Sequence, residues 1–213
     1  METARAFSLQ FESAYPSVVK SITQRVLLNA WLRALRTPDA LPCLGDFHTD
    51  GSADECADMM GFEVVGRGDA ARFLITQEGA RLTTAYGNEH VDPALRTNRY
   101  LDDAIGAERY ARVLPSYRAC LASKRPTYTV STVQDADGKD VAYERLLLPF
   151  GAGDAVMQIV GSYKAISIEG GFRLDNLMGV MPKAVPVVIV SAVIDRALEP
   201  SRRPAAQDSV ELI

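Results

Sequence analysis

The chain has 213 residues, 47% hydrophobic and 23% charged, with a net charge of -4. A chain this long buries a core that needs neither disulfides nor metal to fold, and its acidic balance excludes the basic face that nucleic-acid binding requires. Its longest apolar stretch, residues 184–194, is interrupted by Pro186 and Ser191 and falls short of the roughly 20 residues of a membrane-spanning helix.

Met1 to Arg5 lack the basic start and apolar run of a secretion signal. Cys43, Cys56 and Cys120 have no C-x-x-C spacing and no even pairing. Both features fit a cytoplasmic protein with reduced thiols. Residues 17–36 then carry Val18, Val19, Ile22, Val26, Leu28, Trp31, Leu32 and Leu35 at three- and four-residue steps, which predicts a helix with one apolar stripe. Ser17 is the expected N-cap, and Thr37-Pro38 the stop, because the residue before proline leaves the helical region. The stripe serves either the core or a second copy, and a homodimer through residues 17–36 is the expected assembly.

Residues 37–52 read as a loop, and residues 53–60 as a short helix capped by Ser52 or Asp54. Residues 71–77 read as a strand between Gly68 and Gly79. From Ala80 to Ile105 the signals mix short helices with loops, and Tyr86-Gly87-Asn88 marks a turn. The helix predicted over 107–123 places Tyr110, Val113, Leu114, Tyr117, Cys120 and Leu121 on one face. Pro115 inside it predicts a kink or a split, and Lys124-Arg125-Pro126 ends it. Three strands follow, 127–134, 140–149 and 155–166, joined by turn-forming residues at 135–139 and 151–154. Connections this short favour an antiparallel meander, since parallel strands need a long crossover. Residues 184–194 read as a buried strand or short helix, and residues 200–213 as a frayed tail.

Motifs with a chemical reading give way to simpler ones. Asp135-Ala136-Asp137-Gly138-Lys139-Asp140 lacks the later bidentate Glu and the flanking helices of a calcium loop, so it reads as a hairpin turn. Gly151-Ala152-Gly153 lacks the Lys-Ser/Thr and the helix of a phosphate loop. Arg67-Gly68-Asp69 is treated as a chance triplet. Cys43, His48 and Cys56 match no common zinc spacing, and nothing supplies a third member to a Cys43–His48 pair. Glu144 and Arg145 interrupt an apolar run in the second strand, so alternation turns one of them toward an apolar face. The favoured reading is a rim salt bridge; the sharper one is a polar anchor inside a cavity, which needs a partner because a lone buried charge is unfavourable. Phe73, Tyr117, Cys120, Leu121, Tyr143, Met157 and Ile159 are the best candidates to line a ligand site between helix and sheet. Core packing explains each of them singly, because pocket linings use the same residue types.

Trp31, Leu41-Pro42, Asp46-Phe47, Arg72-Phe73-Leu74-Ile75, Tyr86-Gly87, Tyr100-Leu101, Arg125-Pro126 and the run from Glu144 to Pro149 occur in a telling order. Over roughly residues 28–165 the chain resembles the PAS superfamily, closest to a stand-alone PAS-like family common in alphaproteobacteria. It departs from that pattern in a longer segment at Asn88–Asn98 and in the offset or absent glycine near Ala80. The resemblance implies an α/β (α+β) fold: an antiparallel PAS-like sheet with helices on one face, an N-terminal helix and a C-terminal extension. It divides the chain into an N-terminal helical extension (1–36), a sensor domain (37–166) and a C-terminal extension with one apolar strand and a polar tail (167–213). It implies a non-enzymatic sensory or regulatory protein that binds a small ligand or a signalling partner. It names no cofactor: the flavin-binding cysteine motif is absent, and no histidine falls in the 107–123 helix, where haem-binding members place their axial ligand. The alternatives are a ligand-free dimeric adaptor and a small enzyme with an enclosed pocket; the enzyme would need paired catalytic groups, of which the sequence offers few.

Overall fold

Alternating apolar residues in the second half of the chain build a sheet that is buried on both faces. A computed structural model describes residues 9–37, 40–49, 56–85, 92–134, 140–167, 185–195 and 197. In chain order these form β1 (Glu12–Ala14), α1 (Ile22–Ala34), β2 (Met59–Val65), β3 (Arg72–Glu78), α2 (Ala80–Ala85), β4 (Arg99–Tyr100), α3 (Leu101–Ile105), α4 (Ala107–Ser123), β5 (Thr127–Gln134), β6 (Asp140–Ala152), β7 (Ala155–Ser167) and β8 (Val187–Ile194). The strands join in one sheet ordered β1-β8-β5-β6-β7-β2-β3-β4. All pairings are antiparallel except the short β1–β8 contact. The mixed α and β content and the antiparallel meander β5–β6–β7 are as the sequence predicts. The β6–β7 hairpin turns on Gly153 and Asp154, with Gly153 at φ +62°. Glycine at the first position of a two-residue loop adopts that conformation without the penalty of a Cβ.

The two cores lie on opposite faces of the sheet. On one, Leu27, Leu28 and Trp31 of α1 pack with Tyr128, Val130, Leu146, Leu148 and Phe150. On the other, Leu82 of α2, Leu101 of α3 and Tyr117 and Cys120 of α4 pack with Phe62, Phe73, Leu147 and Ile159. The apolar stripe of α1 is therefore spent on its own sheet, with Leu27 and Leu28 almost wholly buried. The flanking segments are part of the same sheet: β8 pairs with β5, and β1 with β8.

Several local expectations are corrected. The helix expected over 53–60 is overturned at its end, because Met59 and Met60 open β2. They alternate between the two cores, Met59 toward α1 and Met60 toward α4; Ser52 and Asp54 lie outside the described residues. The N-terminal helix begins at Ile22 rather than after Ser17, because the Ser21 side chain accepts from the Gln24 N–H at 3.4 Å and caps it. Pro16–Val18 form only a 3-10 turn. Pro115 does not split α4, which runs unbroken over 17 residues. Proline removes one N–H that would reach the Ala111 carbonyl, while burial of Ser116, Tyr117 and Cys120 holds the following turn on the sheet. Residues 187–194 are a strand, but not a buried one throughout: Val187 is 62% and Ile189 58% exposed. Among the described residues, Ala192 and Val193 are paired on both sides, by β1 and β5. The turns expected at 86–88 and 135–139 and the tail at 200–213 fall outside the described residues. Among the described residues no helix is long and apolar enough to cross a membrane.

Trp31 anchors α1 through a directed bond. Its indole Nε1–H donates to the Pro149 carbonyl at 2.7 Å in a buried setting. Trp31→Phe keeps a ring but orphans that carbonyl, at a cost of about 1–3 kcal/mol. Urea unfolding should show a lower midpoint with an unchanged slope; an unchanged midpoint would mean the bond contributes nothing to docking α1.

Candidate functional site

α4 crosses the sheet at a cluster of aromatic rings. Tyr117 stacks edge-on against Phe62, centroids 5.3 Å apart, and tilts against Phe73 at 4.7 Å. Such ring pairs add about 0.5–1.5 kcal/mol beyond the area they bury. The Tyr117 and Tyr163 hydroxyls meet at 2.6 Å. Tyr163 lies close over Gly161, where a Cβ would stand 2.6 Å from the tyrosine oxygen, so only glycine leaves room for the ring. Cys120 is fully buried, 4.0 Å from the Leu147 carbonyl, and burial pushes its thiol well above the ordinary range.

The sequence-predicted lining residues converge on this face with one exception. Phe73, Tyr117, Cys120 and Ile159 are buried in one cluster, and Leu121 and Tyr143 pack against it half-buried. Met157 does not join them and is 55% exposed. Parity with Ile159 suggests a shared face, but the register shifts between Phe150 and Gly151: Phe150 pairs with Gln158 and Gly151 with Val156. Met157 is the extra residue, and the bulge turns it out while Val156 packs inward. Phe62 and Tyr163 belong to the site and were missed. Phe62 was hidden by the helix assigned to the start of β2. Tyr163 has the same strand parity as Ile159, a signal that was available.

Consecutive strand residues point to opposite faces, and this separates Glu144 from Arg145. A rim salt bridge is overturned for both residues, since neither makes an ion pair among the described residues. Arg145 lies on the α4 side, half-buried, its guanidinium 5.8 Å from the Tyr163 ring centre. Glu144 lies on the α1 side and is 5% exposed. Burial raises its carboxyl above the usual carboxylate range, and the neighbouring Tyr128 hydroxyl and Ser21 backbone N–H offset part of that rise. Burial also pushes the Tyr128 phenol up to about 12. Above the pair, Gln24 Nε2 donates to the carbonyls of Ser162 at 3.0 Å and Glu144 at 3.4 Å. Gln24 Oε1, Glu144 Oε2 and Ser162 Oγ are buried without a partner. Lys164, across from Glu144 in the ladder, pairs instead with buried Asp58, which Arg81 also reaches at 2.9 Å.

An open cleft of about 370 Å³ sits elsewhere, lined by Tyr15, Pro16, Asn29, Leu32 and Arg33 around α1. It holds neither the aromatic cluster nor the Glu144 network. No family model, curated protein or solved structure matches the chain.

Two measurements probe this arrangement. Cys43 and Cys56 are exposed and Cys120 is buried, and the thiolate is the reactive form. In a thiol-reagent assay two groups should react promptly and the third only on unfolding; prompt reaction of all three would mean α4 does not seal Cys120. Glu144 gives a pH dependence. Its folded value is raised, so its contribution is fully present below the unfolded value, about 4.3, and is lost as pH rises through the folded value. Glu144→Gln stays neutral throughout. Its melting temperature relative to the native chain should therefore climb as pH rises above about 4, by roughly 2–4 °C per kcal/mol. A constant difference would place an ordinary carboxyl at 144.

Proposed function

We propose that the protein is a non-enzymatic PAS-type sensory or regulatory module acting in the cytoplasm, with a small ligand or a partner protein engaged between α4 and the sheet. The observation that carries this reading is the convergence of Phe73, Tyr117, Cys120 and Ile159 under α4, with Tyr143, Arg145 and Tyr163 at the half-buried part of the same face. An apolar face ending in a few polar groups suits a guest with an apolar body and a polar handle. The helix-covered antiparallel sheet also accords with what the PAS resemblance implies. A guest here would reach α1 through β6, whose Leu147 faces α4 and whose Leu146 and Leu148 face α1.

A ligand-free adaptor is the second reading, and the close ring packing of Phe62, Phe73 and Tyr117 favours it. In that reading the stripe of α1 is not the surface for a second copy, because it covers the sheet. The outward Ile22, 73% exposed, is what α1 leaves for such a contact.

A thermal-shift screen with metabolites, nucleotides and fatty acids decides between them. A ligand at 100 times its Kd adds about 2.7 kcal/mol, and each kcal/mol moves the melting temperature by roughly 2–4 °C for a domain of this size. A shift of that order, abolished by a bulky substitution such as Ile159→Trp, supports the sensor. A flat response across the panel leaves the adaptor.

A further inference from the structure

Several arginines among the described residues meet carboxylates. Arg36 meets Asp46 at 2.8 Å, Arg72 meets Asp102 at 2.8 Å and Asp103 at 3.1 Å, Arg81 meets Asp58 at 2.9 Å and Arg125 meets Asp195 at 2.5 Å. Among the described residues Arg25, Arg33, Arg67 and Arg109 meet none but are exposed, whereas Arg145 meets none and is half-buried. It sits mid-strand in β6, half-buried, with its Nε shielded and lacking any hydrogen-bond partner. No carboxylate of the described residues reaches it, because the adjacent Glu144 belongs to the other face. A buried donor left unmade costs about 1–3 kcal/mol, and an orphan of this kind in a native fold calls for a bonded water, ion or guest.

The neighbours say what kind of guest. In the ladders Arg145 stands directly opposite Thr129 of β5 and Tyr163 of β7. Directly opposed residues share a face, so Thr129 and Tyr163 stand on the same face as the guanidinium in one row across three strands, the Tyr163 ring centre 5.8 Å from it. Thr129 is itself 4% exposed. On either side along β6 lie Tyr143 and Leu147, and Ile159 is in the same cluster. A guanidinium fork presents paired N–H donors to two coplanar oxygens. A single positive charge with apolar surroundings matches a monoanion on an apolar body better than a phosphate dianion.

We propose that Thr129, Arg145 and Tyr163 form a carboxylate-binding row, taking the acid group of a small aromatic or aliphatic carboxylic acid whose body rests on the α4 cluster. This deepens the sensor reading above, on which it rests, by naming the ligand class. Arg145 supplies the charge and the forked donors, the hydroxyls of Thr129 and Tyr163 supply further hydrogen bonds, and the rings supply the apolar contact.

The test compares acids with their neutral methyl esters on the full chain: benzoate, phenylacetate and decanoate, with inorganic phosphate alongside. The native chain should be stabilised more by each effective acid than by its ester. Arg145→Gln should weaken acid binding tenfold or more while leaving ester binding unchanged, and Arg145→Lys, which keeps the charge but loses the fork, should fall between. Tyr163→Phe supplies an independent readout if Arg145→Gln fails to fold, and should weaken acids selectively. Esters that match the acids, acid binding that survives Arg145→Gln, or phosphate acting as well as the acids would each overturn the row. Neutral compounds binding where acids do not would leave the sensor standing and remove only the carboxylate. A flat response to every compound would remove both.

Discussion

β6 is the constraint on which the rest of the structure depends. It belongs to both cores, with Leu146, Leu148 and Phe150 in one and Leu147 in the other. Each of these leucines is fully buried, and burying such a side chain stabilises by about 1.5–3 kcal/mol. A strand apolar on both faces must be covered on both, so α1 and α4 are both required, one for each side. The β7 partner of this strand carries the matching residues, Val160 toward α1 and Ile159 toward α4. A one-residue slip would exchange every one of these contacts between faces, and the glycine turn at Gly153 pins the register.

The same alternation sorts the charges. Glu144 and Arg145 are adjacent in sequence and carry opposite charges. On a strand they are parted by the sheet itself, and each must be satisfied among different neighbours. Glu144 lies near the Tyr128 hydroxyl and the start of α1, which offset only part of the rise that burial imposes on its carboxyl. Arg145 shares its face with Thr129 and Tyr163 and has no counter-charge among the described residues. The α1 side is thus a partly satisfied polar network closed by a helix, and the α4 side is a cation beside an apolar cluster. Those are different chemical surfaces made by two consecutive residues.

How much of this was legible in the sequence follows from which signals are local. The meander β5–β6–β7, the span of α4 and the stripe of α1 are periodic patterns, and periodicity is read without knowing the partner. The lining residues under α4 were found the same way, through helix face and strand parity. What failed depends on geometry outside the segment. Met59 and Met60 look like part of a short helix until β3 and β7 are placed beside them. Met157 looks inward until a bulge, set by the pairing of Phe150 with Gln158, turns it out. Ser17 and Ser21 are equally good caps by type, and only the Gln24 N–H distinguishes them. The rim salt bridge expected for Glu144 or Arg145 failed because alternation assigns each residue to a face without saying which charges of other strands and helices stand there, and Lys164, opposite Glu144, is taken by Asp58.

The two faces are also chemically unlike, which in the sensor reading proposed above would give a signal a direction. The α4 side is tied by ring contacts among Phe62, Phe73 and Tyr117. The α1 side is tied by the Trp31 bond and by apolar contact, but it closes over Gln24 Oε1, Glu144 Oε2 and Ser162 Oγ, three buried atoms without partners. Each such atom opposes closure by about 1–3 kcal/mol. Undocking α1 would return all three to water, at the loss of the Trp31 bond and the two Gln24 Nε2 bonds. A guest on the α4 side shifts that equilibrium only by the difference in its affinity for the docked and undocked forms. Reversing a 99:1 population takes about 5.5 kcal/mol of such difference, more than a single displaced leucine contact supplies. A guest that repositions Leu147 must therefore move β6 as a whole, carrying Leu146, Leu148 and Glu144 with it. That requirement fits a strand whose two faces are already locked to one register.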